Sequence, residues 1–129
     1  MFQKEVAEHM TAQVGDKAYG RLSVLVQWLC DVSVLTTLPP SVFTPAPKVY
    51  SSFVQLIPKA HPFDVSFEVL EKTTRAAFSQ RRKMLRSSLK SLGDPEQLCQ
   101  AAGVPSSLRL RESQSILRIN SQALRILCR

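Results

Sequence analysis

Apolar residues recur along this chain with two different periods, and the change from one to the other organises it. Residues 5–13, Glu-Val-Ala-Glu-His-Met-Thr-Ala-Gln, favour a helix that Gly15 ends. Residues 20–30 repeat the helical period, with Leu22, Leu25, Val26 and Leu29 on one predicted face. The β-branched run from Val32 to Leu38 predicts a strand. Val49 to Ile57 alternates, with Val49, Ser51, Phe53, Gln55 and Ile57 set against Tyr50, Ser52, Val54 and Leu56, and predicts a second. Between them Pro39, Pro40, Pro45 and Pro47 fix φ and remove backbone donors. That stretch is neither helix nor central strand, and its backbone is stiff and extended.

After a boundary at Pro58 to Pro62 the pattern is helical throughout. One long helix is expected from about Val65 to Leu92, stopped by Gly93. At about 100° per residue, Leu70, Phe78, Leu85, Leu89 and Leu92 fall within about 60° of Phe67, with Met84 a little further round. Lys72, Arg75, Arg82, Lys83, Arg86 and Lys90 fall on the adjoining face. Arg81 lands on the apolar stripe, so it must snorkel, reach a buried partner or meet something outside the helix. Asp94-Pro95-Glu96 marks a further helix start, with Asp as cap and Pro in the first turn, and Gly103 closes it. A last helix is expected from about Asn120. The order describes the back end of an α/β domain, residues 1–60, followed by an all-α domain, residues 61–129. Two strands alone make a poor sheet, so the first part reads as a sheet without its front strands.

Charge sharpens the picture. Lys and Arg number 17 against 10 Asp and Glu, a net charge of +7 over 129 residues. From Lys72 to Lys90 there are seven basic residues and no acidic one, and the rest of the chain carries ten of each. Like charges three and four residues apart on a helix repel by about 0.2–0.5 kcal/mol a pair. An unrelieved basic row therefore points to a polyanion, above all a nucleic-acid backbone. A solvated face and a membrane surface are the alternatives.

Other chemistries find little support. The four glycines, Gly15, Gly20, Gly93 and Gly103, are too scattered for a Gly-x-Gly-x-x-Gly turn or a phosphate loop. Cys30, Cys99 and Cys128 have no Cys-x-x-Cys spacing, which argues against a disulfide framework or zinc and for a reducing cytoplasm. His9 and His61 have no partner at ligand spacing, so no metal is expected. No apolar run approaches membrane-spanning length, and Met-Phe-Gln-Lys-Glu does not open a secretory signal.

Four blocks carry a resemblance. They are Met1-Phe2-Gln3-Lys4-Glu5-Val6-Ala7-Glu8, Ala18-Tyr19-Gly20-Arg21-Leu22-Ser23-Val24, Pro39-Pro40-Ser41-Val42-Phe43-Thr44-Pro45-Ala46-Pro47-Lys48-Val49, and Arg75-Ala76-Ala77-Phe78-Ser79-Gln80-Arg81-Arg82-Lys83-Met84-Leu85-Arg86. In this order they resemble the rRNA adenine N6,N6-dimethyltransferase family, most of all the members that modify small-subunit rRNA. The resemblance implies the C-terminal portion of a Rossmann-like class I methyltransferase domain followed by a small helical domain. It covers the second half of such an enzyme, and Met1 would fall inside its fifth strand. The S-adenosylmethionine site and the catalytic Asn-Leu-Pro-Tyr-type loop belong to the first half. This chain is then expected to hold no catalytic, cofactor-binding or metal residues, to be inactive alone, and to bind no S-adenosylmethionine without the N-terminal half.

What the resemblance carries over is a base platform and an rRNA grip. Phe43 stands at the family's position for stacking on the target adenine, which must leave its helix to be methylated. Lys48, Lys72, Arg75, Arg81, Arg82, Lys83, Arg86 and Lys90 are the rRNA-binding candidates. The implied partner is small-subunit rRNA or its ribosomal precursor, in the cytoplasm. Gly20-Arg21-Leu22-Ser23 reads as structural, with Ser23 near a helix start. His9 and Tyr50 depart from the family, which commonly has Arg and Asp there. Two other readings stand beside this one: a non-catalytic RNA-binding or ribosome-assembly module, and a degenerate fragment.

Overall fold

The computed structural model describes residues 1–60, 66–80, 82–101 and 103–109. The chain divides into two compact units, Met1–His61 and Pro62–Arg129.

In the first unit β1 (Phe2–Gln3) runs straight into α1 (Lys4–Thr11). Then follow α2 (Arg21–Leu29), β2 (Cys30–Leu38) and β3 (Ser51–Pro58). The sheet order is β1-β3-β2, and β3 is antiparallel to both neighbours. β1 and β2 thus run in the same direction, joined through the two helices, with β3 inserted between them. The sheet has three strands where the sequence pattern predicts two. β1 is too short to show an alternation, and it exists because Phe2 and Gln3 pair with Ser52 and Ser51. The register of β2 on β3 shifts between Val34 and Thr36, leaving Leu35 as the extra residue of a bulge.

The first helix ends at Thr11, earlier than expected, because Ala12 turns to extended backbone (φ −56°, ψ 138°). Gly15, with φ 98°, sits in the turn that follows. The buried face of α2 also differs from expectation. Ser23 and Val24 are its buried residues, while Leu22 is 41% exposed. A hydroxyl takes the inner position because Ser23 Oγ accepts the Gly20 N–H at 3.0 Å and donates to the His9 carbonyl. Gln27 Nε2 donates to the carbonyls of Met10 and Ala12 at 3.0 and 2.8 Å, satisfying acceptors that the end of α1 leaves open. Lys59 Nζ donates to the Gln27 carbonyl at 2.8 Å and lies 3.0 Å from the Asp31 carboxylate, fastening the end of β3 to the α2–β2 junction. Ala7, Met10, Ala12, Tyr19 and Val24 form the buried apolar set. The sheet is less covered: Val34, Leu35, Phe53, Leu56 and Ile57 are between 41% and 64% exposed.

In the second unit α3 spans Phe67–Ser79, α4 Leu85–Ser88 and α5 Pro95–Ala101, with a 3-10 turn at Leu89–Leu92. Ser66 caps α3, its hydroxyl accepting the Val69 N–H at 3.4 Å. The single helix expected to Leu92 is broken. Gln80 leaves the helical region (φ −134°, ψ 64°), and a turn closes with the Lys83 N–H donating to the Gln80 carbonyl at 2.9 Å. A continuous helix would take the Leu85 and Arg86 N–H groups to carbonyls four residues back. They instead donate to the carbonyls of Leu108 and Ser106, at 2.7 and 3.2 Å, beside a Met84–Arg109 bridge. Arg81, like the helix expected from Asn120, lies outside the described residues.

Among the described residues of this unit Leu70, Ala76, Ala77, Leu85, Leu89, Cys99 and Val104 are the buried apolar set, whereas Phe67 is 50% exposed. The predicted apolar stripe is therefore used in part, by two helices and not one. Asp94 Oδ1 accepts the Glu96 N–H at 3.0 Å and opens α5, as its spelling in the sequence predicts.

Candidate nucleic-acid interface

The proline segment sets out its side chains one by one. Pro40–Val42 forms a 3-10 turn, with the Val42 and Phe43 N–H groups donating to the carbonyls of Pro39 and Pro40 at 3.3 and 3.2 Å. Phe43 leaves this turn in extended backbone (φ −112°, ψ 148°) and is half-buried. The prolines restrict the unfolded chain, so holding Phe43 in place costs less conformational entropy than a flexible loop would. The Thr44–Pro45 peptide is cis.

Lys48, further along, is exposed and lines an open cleft of about 530 Å³ with Lys4, Glu5, Glu8 and Tyr50. The β1–β3 pairing builds this cleft. The Lys4 N–H donates to the Tyr50 carbonyl at 2.9 Å, continuing the ladder past Gln3–Ser51. Lys4 Nζ lies 3.8 Å from Glu8 and 5.9 Å from the centroid of the Tyr50 ring. The sequence pattern did not single out Lys4, and it marked Tyr50 only as a departure from the family. What joins them is a strand pairing between distant segments, which no local period reveals.

The basic row belongs to the second unit. Lys72 and Arg75 lie on α3, Arg82 and Lys83 in the turn after it, Arg86 on α4 and Lys90 in the 3-10 turn. All six are exposed, and none forms an ion pair with a described residue. The break at Gln80 changes the geometry from a straight stripe to two segments joined by a basic turn. Each charge keeps its solvent access because the intervening positions, Thr73, Thr74, Ala76, Ala77, Leu85, Ser88 and Leu89, take the buried side.

Two other reactive groups among the described residues, His9 and Cys99, sit in structural surroundings. His9 Nδ1 lies 2.6 Å from the Ala18 carbonyl and helps close the turn after α1. The Cys99 thiol is buried, and burial, reinforced by nearby Glu96, pushes its pKa up. Among the described residues no group of three or more His, Cys, Asp or Glu can hold a metal ion. No helix among them is long and apolar enough to cross a membrane.

Residues 1–120 match the family model described as ribosomal RNA adenine dimethylase. The chain belongs to that family. Ribosomal RNA small subunit methyltransferase A of Rhodospirillum rubrum is 54% identical over 110 residues, which are 84% of this chain and 38% of that protein. The protein of the same name from Afipia carboxidovorans is 49% identical over 128 residues, 98% of this chain and 45% of that protein. The chain thus spans less than half the length of these dimethylase-family relatives. Among solved structures, a dimethyladenosine transferase from Plasmodium falciparum superposes with a TM-score of 0.68 at 28% identity, covering 95% of this chain and 57% of that one. The 23S rRNA methyltransferase ErmE superposes with a TM-score of 0.57 at 23% identity, covering 97% and 50%, and shares the methyltransferase fold.

The glycines of this unit do not fit the cofactor such enzymes use. Gly15 lies in an open turn after α1, and Gly20 is buried at the start of α2 with its N–H taken by Ser23. Neither follows a strand, as a turn that cradles S-adenosylmethionine would.

Proposed function

We propose that this chain is the target-base and rRNA-holding portion, the second half, of an S-adenosylmethionine-dependent rRNA adenine N6,N6-dimethyltransferase. The intact enzyme would methylate adenosines near the 3′ end of small-subunit rRNA in the cytoplasm. The observation that carries the reading is the set of six exposed cations between Lys72 and Lys90 without an ion-pair partner among the described residues. Free cations release condensed counterions when they meet phosphates, which gives affinity without sequence preference. Phe43 supplies the platform for the extruded adenine, and Lys48, further along the same segment, a phosphate contact. Exposed apolar residues on both faces of the sheet, Val34 and Leu56 on one and Phe53 and Ile57 on the other, support the placement in a larger domain, because a sheet face left in water is ordinarily polar. In that arrangement the cofactor site and the catalytic loop lie in the first half, and this chain alone is inactive.

The test is RNA binding at several salt concentrations. If half of the six cations touch phosphates, the log–log slope of affinity against salt is about −3. Arg82→Glu with Arg86→Glu should weaken binding to a small-subunit rRNA fragment and flatten that slope. Unchanged affinity at moderate ionic strength overturns the reading. Isothermal titration of this chain with S-adenosylmethionine should give no measurable heat, and tight binding would refute the assignment of the cofactor to the other half.

A further inference from the structure

We propose that the cleft between the start of α1 and the loop before β3 is a subsite for one unpaired nucleotide of RNA, with the Tyr50 ring stacked on its base and Lys48 on its phosphate. The proposal rests on the rRNA reading above and adds to it a second contact point beside Phe43 on the first unit.

Three observations carry it. The cleft, about 530 Å³, is in the range that holds a small organic ligand and not just water. Tyr50 keeps 51% of its surface exposed although it lines the cleft, so its ring is available to a second flat group. Lys48 is exposed, lines the same cleft and has no ion-pair partner among the described residues.

The charges narrow the ligand further. Lys4 and Lys48 are matched in the cleft by Glu5 and Glu8, and Lys4 is engaged with both Glu8 and the Tyr50 ring. A bare polyanion would meet two carboxylates there. A nucleotide fits better, since it presents a flat, neutral base with N–H donors and one phosphate charge. Base–aromatic stacking tolerates any base, so the subsite selects unpaired nucleotides and not a sequence. The walls are held before any ligand arrives, because the Lys4 N–H to Tyr50 carbonyl bond fixes α1 against the loop.

A paired helix hides its base faces, which supplies the test. The full chain is titrated with a fluorescent single-stranded oligoribonucleotide and with a blunt RNA duplex of equal phosphate count. Tyr50→Ala should weaken the single strand about tenfold and leave the duplex unchanged, the latter showing that the variant is folded. Tyr50→Phe, which keeps the ring, should restore single-strand affinity. Lys48→Ala should reduce the single-strand salt slope by about 1. If Tyr50→Ala binds the single strand like the unaltered chain while Arg82→Glu with Arg86→Glu weakens both probes, the subsite is overturned and the rRNA reading stands. Failure of the unaltered chain to bind either probe overturns both.

Discussion

Ser23 donates its hydroxyl to the carbonyl of His9, so the start of α2 is pinned directly to the end of α1. The same oxygen accepts the Gly20 N–H at 3.0 Å, and the side chain has no solvent exposure. Ser23→Ala should therefore strand a carbonyl and an N–H in a buried setting. The expected loss is about 1–3 kcal/mol, read as a lower urea midpoint with the slope unchanged.

A Phe43 variant tests the proposed base platform apart from stability. It is half-buried on a loop braced by prolines, so Phe43→Ala should shift the unfolding midpoint little. Its effect on an RNA carrying an unpaired adenosine should be larger, about 1–3 kcal/mol of lost stacking. Phe43→Tyr keeps a ring and should retain most of the affinity. Equal affinity for Phe43→Ala and the unaltered chain would remove Phe43 from the interface.

Gly93 tests backbone conformation alone. Its φ of 137° and ψ of −151° lie where only glycine is comfortable, yet an added Cβ would meet nothing within 4 Å. Gly93→Ala should cost about 1–3 kcal/mol, all of it from the local clash of Cβ with its own backbone and none from surrounding residues. Gly103, at φ 66°, occupies the ordinary left-handed region and also has open space. Its alanine variant should cost less, about 1–2 kcal/mol. Thermal denaturation of the two variants side by side gives the order.

Cys99 makes stability depend on alkaline pH. Burial raises its pKa in the folded chain, with Glu96 adding to the effect, so the folded state holds the thiol proton more tightly than the unfolded state. The stability this contributes is complete below the unfolded thiol value, near 8.5, and is lost as pH rises from there through the folded value. Urea midpoints measured from pH 7 to pH 10 should fall more for the unaltered chain than for Cys99→Ser. Alkylation of Cys99 at pH 7 should be slower than that of a free peptide thiol.

Much of the local structure is spelled in short segments. Asp94-Pro95-Glu96 announces α5 because a capping carboxylate and a proline both favour the first turn, and the cap is present. The β-branched and alternating runs announce β2 and β3 within two residues at each end. Charge is equally legible, since each of the described cations from Lys72 to Lys90 is exposed. Hydropathy alone misleads on α2, where Leu22 faces water and Ser23 is buried. Counting apolar residues does not foresee a hydroxyl whose two hydrogen bonds offset its desolvation.

The sequence by itself determined where cations, prolines and capping groups stand, because those properties belong to single residues and their near neighbours. Only the tertiary structure decided three things. Phe2 and Gln3, which the resemblance already sets in a strand, pair with β3, α3 stops at Ser79, and Lys4 meets Tyr50 across a cleft. Each depends on backbone donors and acceptors whose partners lie far along the chain: Ser51 and Ser52 for β1, Ser106 and Leu108 for the break, the Tyr50 carbonyl for Lys4. A hydrogen bond of that kind leaves no period in the sequence, and it overrides the helical preference that does.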